Sequence, residues 1–197
     1  MIKVFGHLAP DTDATGSAII WSWYLNETGR DATPYVLGEP NTEAKFVLKR
    51  WGFERPEILK GVEAGEDVVI VDTNNPGELP EGINDANILQ VIDHHLLAGG
   101  LKTLKPIDIT IKPVASTATV MAGIMGDALA TAPDGIKGLV LSCILSDTLE
   151  FRSPTTTDVD RARAMSLAGD LGLEVSDYAA EMFAAKSDIS HFSDAEL

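Results

Sequence analysis

Ile2-Lys3-Val4-Phe5-Gly6-His7-Leu8-Ala9-Pro10-Asp11-Thr12-Asp13 reads as a short strand, a turn and the opening of a helix. Ile2, Val4 and Phe5 supply strand-like apolar character, Gly6 and Pro10 interrupt it, and Asp11 and Asp13 stand where a helix beginning near Ala14 needs a cap. The same passage from apolar run to polar end recurs. Asp67-Val68-Val69-Ile70-Val71 ends at Asp72, and Ile88-Leu89-Gln90-Val91-Ile92 ends at Asp93-His94-His95. Strands are predicted at 2–6, 33–37, 67–72, 88–93 and 107–112. Helices are predicted at 14–27, 42–52, 116–130, 135–146, 157–171 and 175–186. Strands separated by helices of this length predict an α/β fold, an open and mostly parallel five-stranded sheet flanked by helices.

In such a sheet, side chains at the carboxyl ends of the strands gather in one crevice. Asp11, Asp13 and Asp72 would stand there with His7 and His94, joined by Asp147, which ends the segment Leu139–Ser146 and is expected with the strand-end acids. Four carboxylates in one crevice repel one another unless a cation sits among them, and two divalent ions balance their charge. Oxygen-rich ligation with some imidazole suits Mn²⁺, Mg²⁺ or Co²⁺ better than a closed structural Zn²⁺ site. Cys143, the one cysteine, cannot build a thiolate cluster.

Each motif also has a plainer reading. Capping accounts for Asp11 or Asp13, but not for a histidine four residues before the first of them. Adjacent histidines after a strand are often ordinary core or surface residues, although Asp93 offers the carboxylate that orients an imidazole. Asp72 alone says little, because many strands end in an acid. The stretch Asp147-Thr148-Leu149-Glu150-Phe151-Arg152-Ser153-Pro154-Thr155-Thr156-Thr157 is rich in anion-binding groups, and it also reads as a turn followed by a Thr157-x-x-Asp160 cap. Ser116-Thr117-Ala118-Thr119 can offer a helix N-terminus to phosphate, though capping is the simpler expectation. Trp21, Trp23 and Trp51 are expected in the core or an interface, and His191 in solvent. The joint occurrence of the acid and histidine motifs favours a metal site.

Composition narrows the classes. The chain has 197 residues, 45% hydrophobic and 23% charged, enough for one sizeable core. A formal net charge of −15 is unsuited to nucleic-acid backbones or anionic membranes. A lone cysteine fits a reducing, cytoplasmic setting. No signal peptide is expected, and no apolar run approaches the ~20 residues of a membrane span.

Together His7-x-x-x-Asp11-x-Asp13, Asp72, Asp93-His94-His95 and Ser146-Asp147-Thr148 resemble the DHH phosphoesterase superfamily. The run from Ile144 to Asp147-Thr148, continued by Phe151-x-Ser153-Pro154-Thr155-Thr156-Thr157, looks like the family II inorganic pyrophosphatases, as does the threonine between Asp11 and Asp13. The resemblance implies a Rossmann-like DHH domain with two metals, Mn²⁺ preferred and Co²⁺ or Mg²⁺ possible. One ion would be held by His7, Asp11 and Asp72, the other by Asp13, Asp72, His94 and Asp147. His95 would face the substrate phosphate, with Asp93 behind it. It further implies pyrophosphate hydrolysis by a metal-activated water and a homodimer formed through this domain.

Residues 1–187 are expected to form the metal-binding domain and 188–197 to begin an interdomain linker. The lysine- and arginine-bearing second domain that closes over pyrophosphate in that family is expected to be absent, and activity low. Ser193-Asp194-Ala195-Glu196 has the pattern of a helix start. Two competing readings are a DHH phosphodiesterase acting on short oligonucleotides or cyclic dinucleotides, and a metal-binding dimerisation module without turnover. The net charge and the Ser-Pro-Thr-Thr-Thr run argue against the first.

Overall fold

The computed structural model describes residues 1–187; the expected linker, His191 and the Ser193–Glu196 helix start lie outside the described residues. Its strands are β1 (Ile2–Phe5), β2 (Ala32–Val36), β3 (Glu57–Ile58), β4 (Asp67–Val71), β5 (Asn87–Asp93) and β6 (Asp108–Ile111). The α-helices are α1 (Thr12–Glu27), α2 (Thr42–Trp51), α3 (Thr117–Met125), α4 (Asp127–Ala130), α5 (Asp134–Thr148), α6 (Asp158–Leu171) and α7 (Val175–Lys186). All strand pairs are parallel, in the order β3-β2-β1-β4-β5-β6.

The fold class is as expected, with six strands instead of five. The addition, β3, is two exposed residues paired on β2, too short and too polar to leave a period in the sequence. The helix expected over 116–130 breaks at Gly126, whose φ of +52° is left-handed, and resumes as α4. The Thr157-x-x-Asp160 motif forms a reciprocal capping box at the start of α6.

Alternate residues of β4 enter two cores. Val69 and Val71 pack with Ile20, Trp21, Met121, Leu141 and Ile144 from the helices. Val68 and Ile70 pack with Phe5, Leu79, Ile83 and Ile88, against turns and loops only. The steps β4→β5 and β5→β6 contain no α-helix, so that second face is covered by two 3₁₀ turns (Pro76–Glu78 and Ile83–Asp85) and the segments around Leu59 and Leu101. The chain winds outward from β1 to β3, then returns to β4 on the other side of β1. The carboxyl ends of β1 and β4 therefore flank the point where strand order reverses, the usual crevice of an open α/β sheet.

Candidate metal centre

Gly6 ends β1 directly beneath α1, where a Cβ would come within 2.8 Å of the Ala14 Cβ. That close approach folds His7, Asp11 and Asp13 back over the carboxyl edge of the sheet. Asp11 is the N-cap of α1, its Oδ1 accepting from the Ala14 amide at 3.0 Å. The capping reading thus holds for Asp11 and leaves its side chain half exposed beside His7, with 3.7 Å between Asp11 Oδ1 and His7 Nε2.

Asp72 follows the last residue of β4 with a φ of +60°, a left-handed backbone that aspartate adopts more readily than most residues. Its amide extends the ladder by one bond to Ile92 O at 2.9 Å. The turn aims the carboxylate across the crevice, buried, with its oxygens divided between two imidazoles. Oδ2 lies 3.5 Å from His7 Nε2 and Oδ1 lies 3.4 Å from His94 Nε2. Thr117 Oγ1 donates to Oδ1 at 2.9 Å.

His94 lies just past β5. Its Nδ1 is 3.2 Å from Val114 O, and because a carbonyl only accepts, Nδ1 carries the hydrogen. Nε2, on the carboxylate side, can then offer a lone pair once its proton is lost. Burial opposes charge on this ring, but the Asp72 hydrogen bond and the Asp13 and Asp72 carboxylates prevail and push it up to about 9. His7 is shifted upward by the same balance, burial overcome by Asp72 and Asp11.

Asp13, on the first turn of α1, is fully buried. It accepts from Ser17 Oγ at 3.1 Å, Ser116 Oγ at 3.1 Å, the Thr117 amide at 2.7 Å and the Ala118 amide at 3.3 Å. The N-terminus of α3 is thus capped by Ser116, as expected, and also spent on Asp13. Asp147 approaches Asp13 from α5, at the end of a helix and not of a strand. This corrects the grouping of Asp147 with the strand-end acids: the helix expected over 135–146 runs two residues further, to Thr148, and carries Asp147 on its last turn. Asp147 Oδ2 lies 3.9 Å from His94 Nε2, is inaccessible to solvent and has no hydrogen-bond partner among the described residues.

Burial and the neighbouring charge raise both acids of this pair, Asp147 by burial and then Asp13, Asp13 by burial and then Asp72. Ionising both without a cation is therefore disfavoured. Among the described residues no lysine or arginine pairs with Asp11, Asp13, Asp72 or Asp147. An orphaned buried oxygen, two neighbouring carboxyls whose ionisation burial and mutual charge oppose, and an Nδ1-tethered imidazole fit a divalent cation. Ligand atoms lie within 4.8 Å of one another in three sets: His7, Asp11 and Asp72; Asp13, His94 and Asp147; and Asp72, His94 and His95.

His95 stands half exposed at the rim, its ring 4.2 Å from that of His94. Asp93 Oδ1 lies 2.8 Å from His95 Nδ1 and accepts from the His94 and His95 amides at 2.8 and 3.1 Å. The Asp93 bond, with burial opposing it, raises His95. Burial opposes charge on Asp93, yet the His95 and Asn74 hydrogen bonds hold its pKa below the usual range. Asn74 Nδ2 donates to Asp93 Oδ2 at 2.6 Å and to Leu96 O, while its Oδ1 accepts from the Ala98 amide. Nothing local in the sequence marks Asn74 for this role, because Asn74-Asn75-Pro76-Gly77 signals only a turn. Asp160 was noticed only as a cap, yet it also accepts from the Ala115 amide at 3.0 Å and Thr119 Oγ1 at 2.6 Å, fixing the start of α3.

The sequence matches the model of the DHH family, N-terminal domain, over residues 1–146. A Deinococcus radiodurans protein named "Probable manganese-dependent inorganic pyrophosphatase" is 42% identical over 193 residues, which are 97% of this chain and 61% of the relative. A Lactobacillus acidophilus protein of the same name is 37% identical over 195 residues, 98% of this chain and 62% of the relative. The chain thus spans about 61% of the length of the first of these curated relatives. The crystal structure of a candidate family II inorganic pyrophosphatase from Methanococcus jannaschii has a TM-score of 0.85 at 36% identity, covering 95% of this chain and 62% of that one. An exopolyphosphatase-related protein from Bacteroides fragilis, 16% identical with a TM-score of 0.71, shares the fold.

Proposed function

The chain belongs to the DHH family, and we propose that it is the metal-binding catalytic domain of an inorganic pyrophosphatase, working in the cytoplasm with two divalent ions, Mn²⁺ preferred. The observation that carries this reading is the pair of ligand sets His7-Asp11-Asp72 and Asp13-His94-Asp147, with the two oxygens of Asp72 turned to a histidine of each. The names of the relatives support the metal and the substrate.

His7, Asp11 and Asp72 would hold one ion; Asp13, Asp72, His94 and Asp147 would hold the other. When bound, two such ions supply Lewis acidity and a nucleophile drawn from water near neutral pH. Asp72, fixed by its own backbone and by Thr117, keeps the two sites at a set separation. His95 takes the part of the phosphate-facing acid. Its Nδ1 is occupied by Asp93, and Nε2 has no partner among the described residues, leaving a proton there for a phosphoryl oxygen. The chain needs no covalent nucleophile, and Cys143 is buried inside α5 with its thiol pushed well up by burial and nearby carboxylates.

A homodimer through this domain belongs to the same reading. Its support is that, among the described residues, β6 closes the sheet with one edge unpaired and Ile109 exposed upon it. Light scattering with Mn²⁺ present should give twice the 21.0 kDa chain mass.

The function is tested by a calorimetric Mn²⁺ titration beside a phosphate-release assay. Two ions per chain are expected, with Asp72→Asn weakening both and Asp11→Asn mainly one. Equal losses at both sites in the two variants would undo the bridging role of Asp72. Pyrophosphate should be preferred over a nitrophenyl phosphodiester and a dinucleotide; faster cleavage of the dinucleotide would favour the phosphodiesterase reading.

A further inference from the structure

An acid in the first turn of a helix ordinarily faces water, where the helix dipole favours it. Glu43, the second residue of α2, has no exposed surface at all. Its Oε1 accepts from Thr12 Oγ1 at 2.6 Å and from Ser146 Oγ. Among the described residues its Oε2 has no hydrogen-bond partner, and it faces Lys186 Nζ of α7 at 3.6 Å. Thr12 lies between Asp11 and Asp13, and Ser146 immediately precedes Asp147. One carboxylate thus ties together the two backbone segments that carry three of the four acids in the crevice.

Further contacts dock α2 and α5 against the same loop. The Asn41 amide donates to Pro10 O at 3.2 Å, and Cys143 Sγ lies 3.4 Å from Thr12 O. The loop is therefore gripped at Pro10 and Thr12, on either side of Asp11. Burying a carboxylate is costly unless its partners are in place. A carboxylate in this position draws the Thr12 and Ser146 hydroxyls to one oxygen and thereby sets the distance between α1 and the end of α5. Asp13 and Asp147 lie on those two elements.

We propose that Glu43 is a positioning residue for the metal centre, holding Asp11 and Asp13 in register with Asp147, with Lys186 balancing its charge. It touches neither substrate nor any of the six ligand candidates and acts through Thr12 and Ser146. The proposal rests on the metal reading above.

The test uses the 197-residue chain and Mn²⁺ alone. Affinity is measured by calorimetry, the geometry of the Mn²⁺ pair by electron paramagnetic resonance, and melting temperature without metal. Glu43→Ala should weaken Mn²⁺ binding about tenfold, the lower end of what loss of an indirect metal support costs. It should also shift the spectrum of the spin-coupled pair towards isolated ions. Glu43→Gln keeps an oxygen that can accept both hydroxyls and should restore most of the affinity. A purely structural role would lower the melting temperature of Glu43→Ala while leaving the affinities and the pair spectrum of the folded protein unchanged, and that result overturns the proposal. If Glu43→Ala does not fold, Ser146→Ala decides in the same way: weakened Mn²⁺ binding supports it, and wild-type binding removes it. A wild-type chain that takes up no Mn²⁺ would refute the metal reading itself and this proposal with it. Normal wild-type binding with indifferent variants refutes the role of Glu43 alone.

Discussion

Thr117 donates its amide to Asp13 Oδ2 at 2.7 Å, an acid 104 residues earlier in the chain. Its hydroxyl donates to Asp72 Oδ1 at 2.9 Å. A single residue at the start of α3 thus orients an acid from each of two elements, and the two bonds can be separated by mutation. Thr117→Val keeps the β-branched shape and the amide but loses the hydroxyl. Asp72 would then be free to rotate, and Mn²⁺ affinity should fall about tenfold or more, as when other outer partners of metal ligands are lost. The amide bond to Asp13 stays, so the metal-free melting temperature should move little. A variant that binds Mn²⁺ as the wild type does would show that the Asp72 backbone alone suffices.

The metal-free site holds protons that a cation must displace. His94 is protonated up to about 9, against an unfolded value near 6.5. Its protonated form therefore stabilises the folded chain fully below about pH 6.5, and that contribution is lost as pH rises through about 9. Asp13 and Asp147, shifted upward, act in the same direction: the folded chain holds their proton above the pH at which the unfolded chain releases it. The metal-free protein should melt at progressively lower temperature from pH 6 to pH 9, and saturating Mn²⁺ should remove most of that slope. Calorimetry in two buffers of different ionisation enthalpy should register proton release on Mn²⁺ binding. A metal-free melting temperature that rises over this range would reverse the assignment.

Much of the candidate centre is legible because the acids and histidines gathered there stand where local pattern changes. His7, Asp11 and Asp13 fill a strand-to-helix turn, and Asp72 and His94 end apolar runs. Asp147 stands out by its neighbours Ser146 and Thr148, although it enters from the end of the helix expected over 135–146 and not from a strand. The groups that hold the ligands were harder to see. Glu43, Asn74 and Thr117 form ordinary helix starts and turns in sequence, and what makes them matter is a partner 19 to 104 residues away. No local period carries that information. The helix-free face of the sheet was equally silent, since its cover comes from single residues such as Leu79 and Ile83 in short turns.

Asp93→Asn tests the rim. The side chain accepts on both oxygens: Oδ1 from two backbone amides, with His95 Nδ1 2.8 Å away, and Oδ2 from Asn74 Nδ2. An asparagine has one NH₂, so either Asn74 or the two amides must face a donor. Leaving one such buried donor unpaired costs about 2 kcal/mol. For a chain of this size that lowers the melting temperature by roughly 4–8 °C. The Asn74 bonds to Leu96 and Ala98 should loosen with it, speeding amide hydrogen exchange at Ala98. Unchanged exchange at Ala98 would mean that Asn74 does not depend on Asp93.

The last expectation concerns rate. Two divalent ions would neutralise the four acids, whereas pyrophosphate brings several negative charges of its own. Among the described residues, Arg152 follows Asp147 most closely in sequence, but its guanidinium is 3.0 Å from Glu150 Oε2 and over the Phe183 ring. With His7 and His94 taken as metal ligands, His95 is the remaining imidazole beside the crevice. Each preorganised contact to developing charge is typically worth ~2.7–4 kcal/mol. If turnover needs two cations that these residues do not supply, phosphate release should fall about 10⁴-fold below that of a chain which has them. We therefore expect the 197-residue chain to bind Mn²⁺ and fold while hydrolysing pyrophosphate slowly. The comparison is with a chimera that appends the remaining portion of the Deinococcus radiodurans relative, of which this chain covers 61%. Similar steady-state rates in the two would show that the residues described here suffice for full catalysis.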